Sequence, residues 1–171
     1  MDFLELAEKR FAVRSYKNTP VEDEKLAKIL EAAKLAPTAC NNQPQRIYVV
    51  KSEEMRKKLA EITPCTFGAP VIFVVCYDAE RSAKGMVYDG HDFGDTDAAI
   101  VCTHMMLEAC QLGLGTCWVG YFNEQKVRDA LGLPENVRVR DLLPTGYPAP
   151  DAAPAPLHGK YRDADDMVTV L

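Results

Sequence analysis

The chain has 171 residues, long enough to bury a core as one domain without disulfides or metal. Hydrophobic residues make up 47% and charged residues 26%, which excludes a disordered chain, and the net charge of −5 argues against a general nucleic-acid binder. No apolar run reaches the length of a membrane span, and Met1-Asp2-Phe3-Leu4-Glu5 lacks the basic start and apolar core of a signal peptide, so the cytoplasm is the expected location.

A first helix is predicted from Asp2 to about Arg10, followed by a second with Thr19 as N-cap, Pro20 at the first helical position and Glu22 closing a capping box. Leu26, Ile29, Leu30 and Ala33 fall on one face of that second helix, and Pro37 ends it. The segment Ala36-Pro37-Thr38-Ala39-Cys40-Asn41-Asn42-Gln43-Pro44 then joins helix to strand using only small and amide side chains. Its prolines restrict the backbone, while Thr38, Ala39, Asn41 and Gln43 offer N–H groups, a hydroxyl and amides to a flat polar ligand.

A strand from Ile47 to Val50 leads to a short helix capped by Ser52 and carrying Met55, Leu59 and Ile62. Pro70 to Tyr77 is a continuous apolar run, the pattern of a strand buried on both faces. Ala79 to Gly94 is polar and aperiodic and reads as a long surface loop or a short helix with flexible flanks, a place where substrate access could be governed. Asp89, His91 and Asp92 in it lack metal-ligand spacing, and no metal is assigned.

Asp97 to Leu112 is a helix with almost no polar face and must be covered all round, which in so small a chain points to a second subunit. His104 within it reads as a satisfied core or interface residue. A strand from Thr116 to Phe122, a helix capped by Asn123 and ending near Leu131-Gly132, and a strand from Val137 to Leu143 follow. Ala149 to Leu157, with three prolines, begins an extended C-terminal arm (149–171), and Met167 to Leu171 could pair as a terminal strand, on its own chain or on the partner. The six cysteines form no C-x-x-C pair and read as reduced thiols; Cys40, with no adjacent His or Lys, reads as structural despite its place in the ligand loop.

Arg10-Phe11-Ala12-Val13-Arg14-Ser15-Tyr16, the 36–44 loop, Gly113-Leu114-Gly115-Thr116-Cys117-Trp118-Val119-Gly120, Thr145-Gly146-Tyr147-Pro148 and Lys160-Tyr161-Arg162 occur in an order and at distances that resemble the nitroreductase family of FMN-dependent oxidoreductases, over nearly the whole chain. The resemblance implies an α+β fold, a central, mostly antiparallel sheet flanked by helices, in an intertwined homodimer with FMN at its interface.

It also implies roles. The segment matching Arg10, Phe11, Ala12 and Arg14 contacts the flavin phosphate and ribityl chain, and the pair matching Lys160 and Arg162 completes the phosphate site. Arg10 and Arg14 share a face if the first helix continues, and Lys160 and Arg162 project to one side of an extended segment. The stretch matching Pro37, Thr38, Ala39 and Asn41 packs on the ring from the other subunit. The backbone matching Trp118, Val119 and Gly120 lies against the isoalloxazine, with the N–H near Gly120 as donor to N5. Ala12 stands where a serine is common and Gln45 where an aromatic residue is common. The implied activity is hydride transfer from NADH or NADPH through FMN to electron-poor acceptors such as nitroaromatics and quinones, by ping-pong kinetics and without an acid or base from the protein. A specialised relative, such as a flavin reductase, a reductive dehalogenase or a flavin-fragmenting enzyme, and a non-catalytic flavin-binding sensor or interaction protein are the alternatives. A Rossmann reading is poor, because no G-x-G-x-x-G follows the first strand.

Overall fold

The computed structural model describes residues 1–85 and 90–171. Its central element is a four-stranded sheet of β1 (Gln45–Val50), β2 (Val71–Asp78), β3 (Gly115–Thr116) and β4 (Val137–Gly146), in the order β1-β2-β4-β3 with every pair antiparallel. The helices are α1 (Phe3–Lys9), α2 (Asp23–Leu35), α3 (Glu53–Ile62), α4 (Gly94–Gln111), α5 (Glu124–Leu131) and α6 (Ala164–Met167). The α+β expectation, with an antiparallel sheet and flanking helices, matches this arrangement.

Two-residue periodicity explains why β2 is buried along its whole length. Val71, Phe73, Val75 and Tyr77 face one cluster, packed with Leu26 and Ile29 of α2 and Val101 and Met105 of α4. Ile72, Val74 and Cys76 face the other, with Leu59 of α3 and Val127 of α5. The sheet is therefore the middle of three layers, and Phe73 at its centre is fully buried.

Several predicted elements change at their ends. Asp2 caps α1 in a capping box with Glu5. The second helix starts at Asp23, not Pro20: Val21 is buried in the core and needs extended chain, and Glu22 accepts a hydrogen bond from the Tyr147 hydroxyl instead of closing a box with Thr19. Ser52 and Asn123 cap α3 and α5 as expected, and Gly132 ends α5 in the left-handed region.

The strand expected from Thr116 to Phe122 is only Gly115–Thr116. Cys117 N–H donates to Pro144 O at 3.2 Å, but Pro144 has no N–H to return, so the ladder breaks. It resumes as one bridge, Val119 with Leu142, held by two hydrogen bonds of 2.9 Å.

The 79–94 segment is partly ordered by the core: Lys84 bridges Asp92, Gly85 N–H donates to His91 O at 2.8 Å, and α4 already begins at Gly94. Asp89 lies outside the described residues, and no cluster of possible metal ligands occurs among the described ones. The expected terminal strand is absent among the described residues: Val168, Val170 and Leu171 are exposed and follow the short α6. No described helix is long and apolar enough to cross a membrane.

Candidate functional site

The Arg10–Arg14 segment is not helical. Helix α1 ends at Lys9, Arg10 is extended, and Ala12 bridges Thr116 while Val13 N–H donates to Thr116 O at 2.9 Å. The shared face that a continued helix would give the two arginines is therefore absent. Val13 is buried beneath them, and Gly115 is where the chains touch: a Cβ there would lie 2.5 Å from Val13 Cγ2. Arg10, Phe11, Gly113, Leu114, Gly115 and Pro148 line a cavity of about 130 Å³. That is below the ~300–1,000 Å³ of an ordinary ligand pocket.

The chain after β4 runs back along this segment. Lys17 N–H donates to Tyr147 O, Tyr16 bridges Pro148, Ala149 N–H donates to Ser15 O, Ser15 Oγ donates to Asp151, and the Phe11 and His158 rings meet edge to face at 6.3 Å. Lys160 and Arg162 follow directly, both exposed. Arg10, Arg14, Lys160 and Arg162 take part in none of the ion pairs among the described residues; Arg14 Nη1 donates only to Ala12 O at 3.4 Å.

The 36–44 loop holds three non-glycine residues in the left-handed region, Cys40, Asn41 and Gln43, with φ of 55°, 53° and 49°. Each such residue costs about 1–3 kcal/mol and needs support. Support comes from Ala39 N–H to Asp97 Oδ1 (2.8 Å), Gln43 N–H to Thr38 Oγ1 (3.0 Å), Gln43 Nε2 to Asn41 Oδ1 (3.1 Å) and Asn42 Nδ2 to Arg81 O (3.1 Å). Of the groups expected to face a ligand, the Ala39 N–H is thus taken by Asp97 of α4, and Thr38 Oγ1 accepts a hydrogen bond inside the loop. Asn41 and Pro37 are exposed.

Trp118, Val119 and Gly120 lie on the far side of the Pro144 break. The Val119–Leu142 bridge fixes this segment, and Trp118 Nε1 donates to Asp141 Oδ1 at 2.5 Å. Gly120 is exposed, nothing lies within 4 Å of a Cβ built on it, and its N–H donates to none of the described residues.

Two buried carboxylates were not among the expected site residues. Asp97 is 1% and Asp141 0% exposed, and each keeps one oxygen without a partner. Burial pushes both carboxyls above the usual value of 3.8, against the Ala39 N–H at Asp97 and the Trp118 indole and Arg140 at Asp141. The signal was an acid where the pattern asks for an apolar residue: Asp97 at the start of an apolar helix, Asp141 between Val139 and Leu142.

Six unbridged cysteines accord with reduced thiols. Burial raises Cys76 to about 12, while Cys40 is exposed. His104 Nδ1 lies 2.9 Å from Ile100 O, one helical turn away.

Comparison with known proteins agrees with this architecture. The nitroreductase family model matches residues 7–67 and 62–147. A nitroreductase family protein of Clostridium difficile 630, of known crystal structure, superposes with a TM-score of 0.92 at 37% identity, covering 99% of this chain and 98% of that one. An FMN-dependent nitroreductase of Clostridium difficile R20291 superposes with a TM-score of 0.81 at 28% identity, covering 98% of each chain. An FMN reductase [NAD(P)H] of Bacillus subtilis is 34% identical over 163 residues, 85% of this chain and 65% of its own length. By its matched span and these identities, the chain belongs to the nitroreductase family.

Proposed function

We propose that this protein is an NAD(P)H-dependent FMN oxidoreductase that reduces electron-poor acceptors, nitroaromatics and quinones among them, and that it works as a homodimer with FMN in the seam between subunits. The observation that carries the reading is Gly120: a bridge-anchored segment offers a free N–H on a surface with no side chain over it. A ligand with an acceptor atom on a flat face suits that position.

The residues present fit FMN at both ends. Arg10 lines the cavity, and Arg10, Arg14, Lys160 and Arg162 have no ion-pair partner among the described residues of a chain whose net charge is −5, so a phosphate dianion would satisfy them through charge-assisted hydrogen bonds. Ala12 brings no hydroxyl, so Arg10 and Arg14 carry that end with Lys160 and Arg162. Phe11 and Thr116 border the cavity beside them. When bound, FMN accepts a hydride at N5 from NADH or NADPH and passes the electrons to an acceptor.

The protein's own part is positioning. Gly120 N–H stabilises negative charge at the flavin edge, and Trp118 and Val119 hold that donor in place. The 36–44 loop, with Pro37, Thr38, Ala39 and Asn41, is read as the cover supplied by the partner subunit. The small single-chain cavity supports this division. So does helix α4: Val101, Cys102, Met105 and Ala109 are buried in the core, whereas Ile100, Met106 and Leu107 are only partly buried in the single chain.

An absorbance spectrum of the purified chain is the direct test. Bound flavin that bleaches anaerobically with NADH or NADPH and regains colour with a nitroaromatic or quinone, with ping-pong steady-state kinetics, is the expected result. A chain that stays colourless after incubation with excess FMN, or holds FMN that neither donor bleaches, overturns the proposal.

A further inference from the structure

The register of β4 aims one buried carboxylate at the Trp118–Gly120 segment. On β2, Val75 pairs with Asp141 but Cys76 pairs with Val139, so Arg140 is an extra residue, a β-bulge. Its effect is visible in the packing: Val137, Val139 and Leu142 all belong to the cluster under α3 and α5, although 139 to 142 is an odd step that alternation alone would send to the other face. The bulge absorbs the odd step. It leaves Asp141 on the α4 side with its partner Val75 and with Leu143, both members of the other cluster.

Trp118 packs on that same side. The pairs Gly115 with Gly146, Thr116 with Thr145 and Val119 with Leu142 keep one register across the Pro144 break, and continuing it by one residue sets Gly120 opposite Asp141. Asp141 reaches diagonally to the Trp118 indole, with Oδ1 accepting from Nε1, while Oδ2 is buried and unpartnered. A fully buried carboxylate is costly and persists when it organises its neighbours.

We propose that Asp141 is a positioning residue for the cofactor: through Trp118 it fixes the orientation of the Trp118–Gly120 backbone, and with it the aim of the Gly120 N–H and the reduction potential of the flavin it faces. This rests on the FMN reading above.

Trp118 is the sole tryptophan in the chain, so its emission reports on the pair even without cofactor. In D141L, apo-protein emission is expected to shift to longer wavelength, FMN to bind about tenfold more weakly and its potential to move. D141N retains an acceptor oxygen and is expected to stay within about twofold of wild type in FMN affinity. Since the two side chains act as one unit, the W118F/D141L double variant is expected within about twofold of D141L. Unchanged emission, affinity and potential in D141L, or a D141N variant as impaired as D141L, overturns the assignment. If D141L does not fold, W118F, which removes the indole donor and leaves Asp141 in place, is expected to weaken FMN about tenfold and to move its potential, and unchanged affinity and potential in W118F overturn the assignment. Failure of wild type to bind FMN counts against the proposed function, and the apo emission then still judges the Asp141–Trp118 pair.

Discussion

Asp97 Oδ1 accepts the backbone N–H of Ala39 at 2.8 Å, fastening the first turn of α4 to a loop that holds Cys40, Asn41 and Gln43 in left-handed conformations. The carboxylate is 1% exposed, and its removal leaves the part-buried Ala39 N–H without its acceptor and releases the loop. D97A is expected to lower stability by about 1–3 kcal/mol in urea unfolding. Amide exchange at Ala39 is expected to accelerate much more than at Phe73 in the sheet. Equal acceleration at both sites would show general loosening with no particular hold on the loop.

The two buried acids also set a pH dependence. Burial raises Asp141 above 3.8 despite the Trp118 hydrogen bond and Arg140, and it raises Asp97 despite the Ala39 N–H. A carboxyl raised on folding contributes stability that is fully present below its unfolded value and is lost as pH rises through the folded one. The wild-type urea midpoint is therefore expected to fall relative to D141N as pH climbs from about 4 to 8. A constant gap over that window would contradict a raised Asp141.

Gly120 separates folding from cofactor approach. A Cβ there meets nothing within 4 Å and the residue is exposed, so G120A is expected to unfold within about 0.5 kcal/mol of wild type. The same methyl stands over the proposed flavin face and is expected to weaken FMN retention about tenfold by fluorescence titration. G115A is the contrast: its Cβ would sit 2.5 Å from Val13 Cγ2, and overpacking of that kind costs about 1–3 kcal/mol. A G120A variant that binds FMN like wild type would remove this segment from the ring site.

Much of this was legible because burial writes a period into the sequence. The unbroken apolar run of β2 announced a strand covered on both faces, and Ser52 and Asn123 announced α3 and α5 by capping chemistry. The failures lie where a distant partner overrides a local signal. Thr19-Pro20 is a sound helix start, yet Val21 must enter the core and Glu22 meets Tyr147, 125 positions away. Thr116 to Phe122 has strand composition, yet Pro144 opposite Cys117 has no N–H to return and interrupts the ladder there. Arg10 and Arg14 were given a common face on condition that the first helix continue, and it ends at Lys9. Asp97 and Asp141 carry no motif; only the bulge at Arg140 and the pairing to Ala39 give them meaning.

The phosphate assignment has its own test. Arg14 and Arg162 are exposed and outside every ion pair among the described residues, so alanine at both is expected to leave the fold intact. Each charge-assisted hydrogen bond to a phosphate dianion is worth about 1.5–3 kcal/mol, so R14A/R162A is expected to weaken FMN at least about tenfold. Riboflavin, which lacks the phosphate, is expected to bind wild type and the double variant alike. Unchanged FMN affinity in the double variant would exclude these arginines from the site.

Helix α4 decides the oligomeric prediction. Its composition left no polar face, yet burial in one chain is uneven: Ala98, Val101, Cys102, Met105 and Ala109 are fully buried, while Ile100, Thr103, Met106 and Leu107 are only partly buried. Phe3 and Leu4 on α1 are 66% and 72% exposed. In a homodimer these surfaces close against a second copy, where a charge without a partner costs several kcal/mol. L107R is therefore expected to sediment as the 19.0 kDa monomer, and wild type is expected to sediment at twice that mass. Because the 36–44 loop then covers no flavin, L107R is also expected to lose FMN although every proposed phosphate ligand is intact. A dimeric L107R would move the interface off α4, and a monomeric L107R that keeps its flavin would show that one chain completes the site.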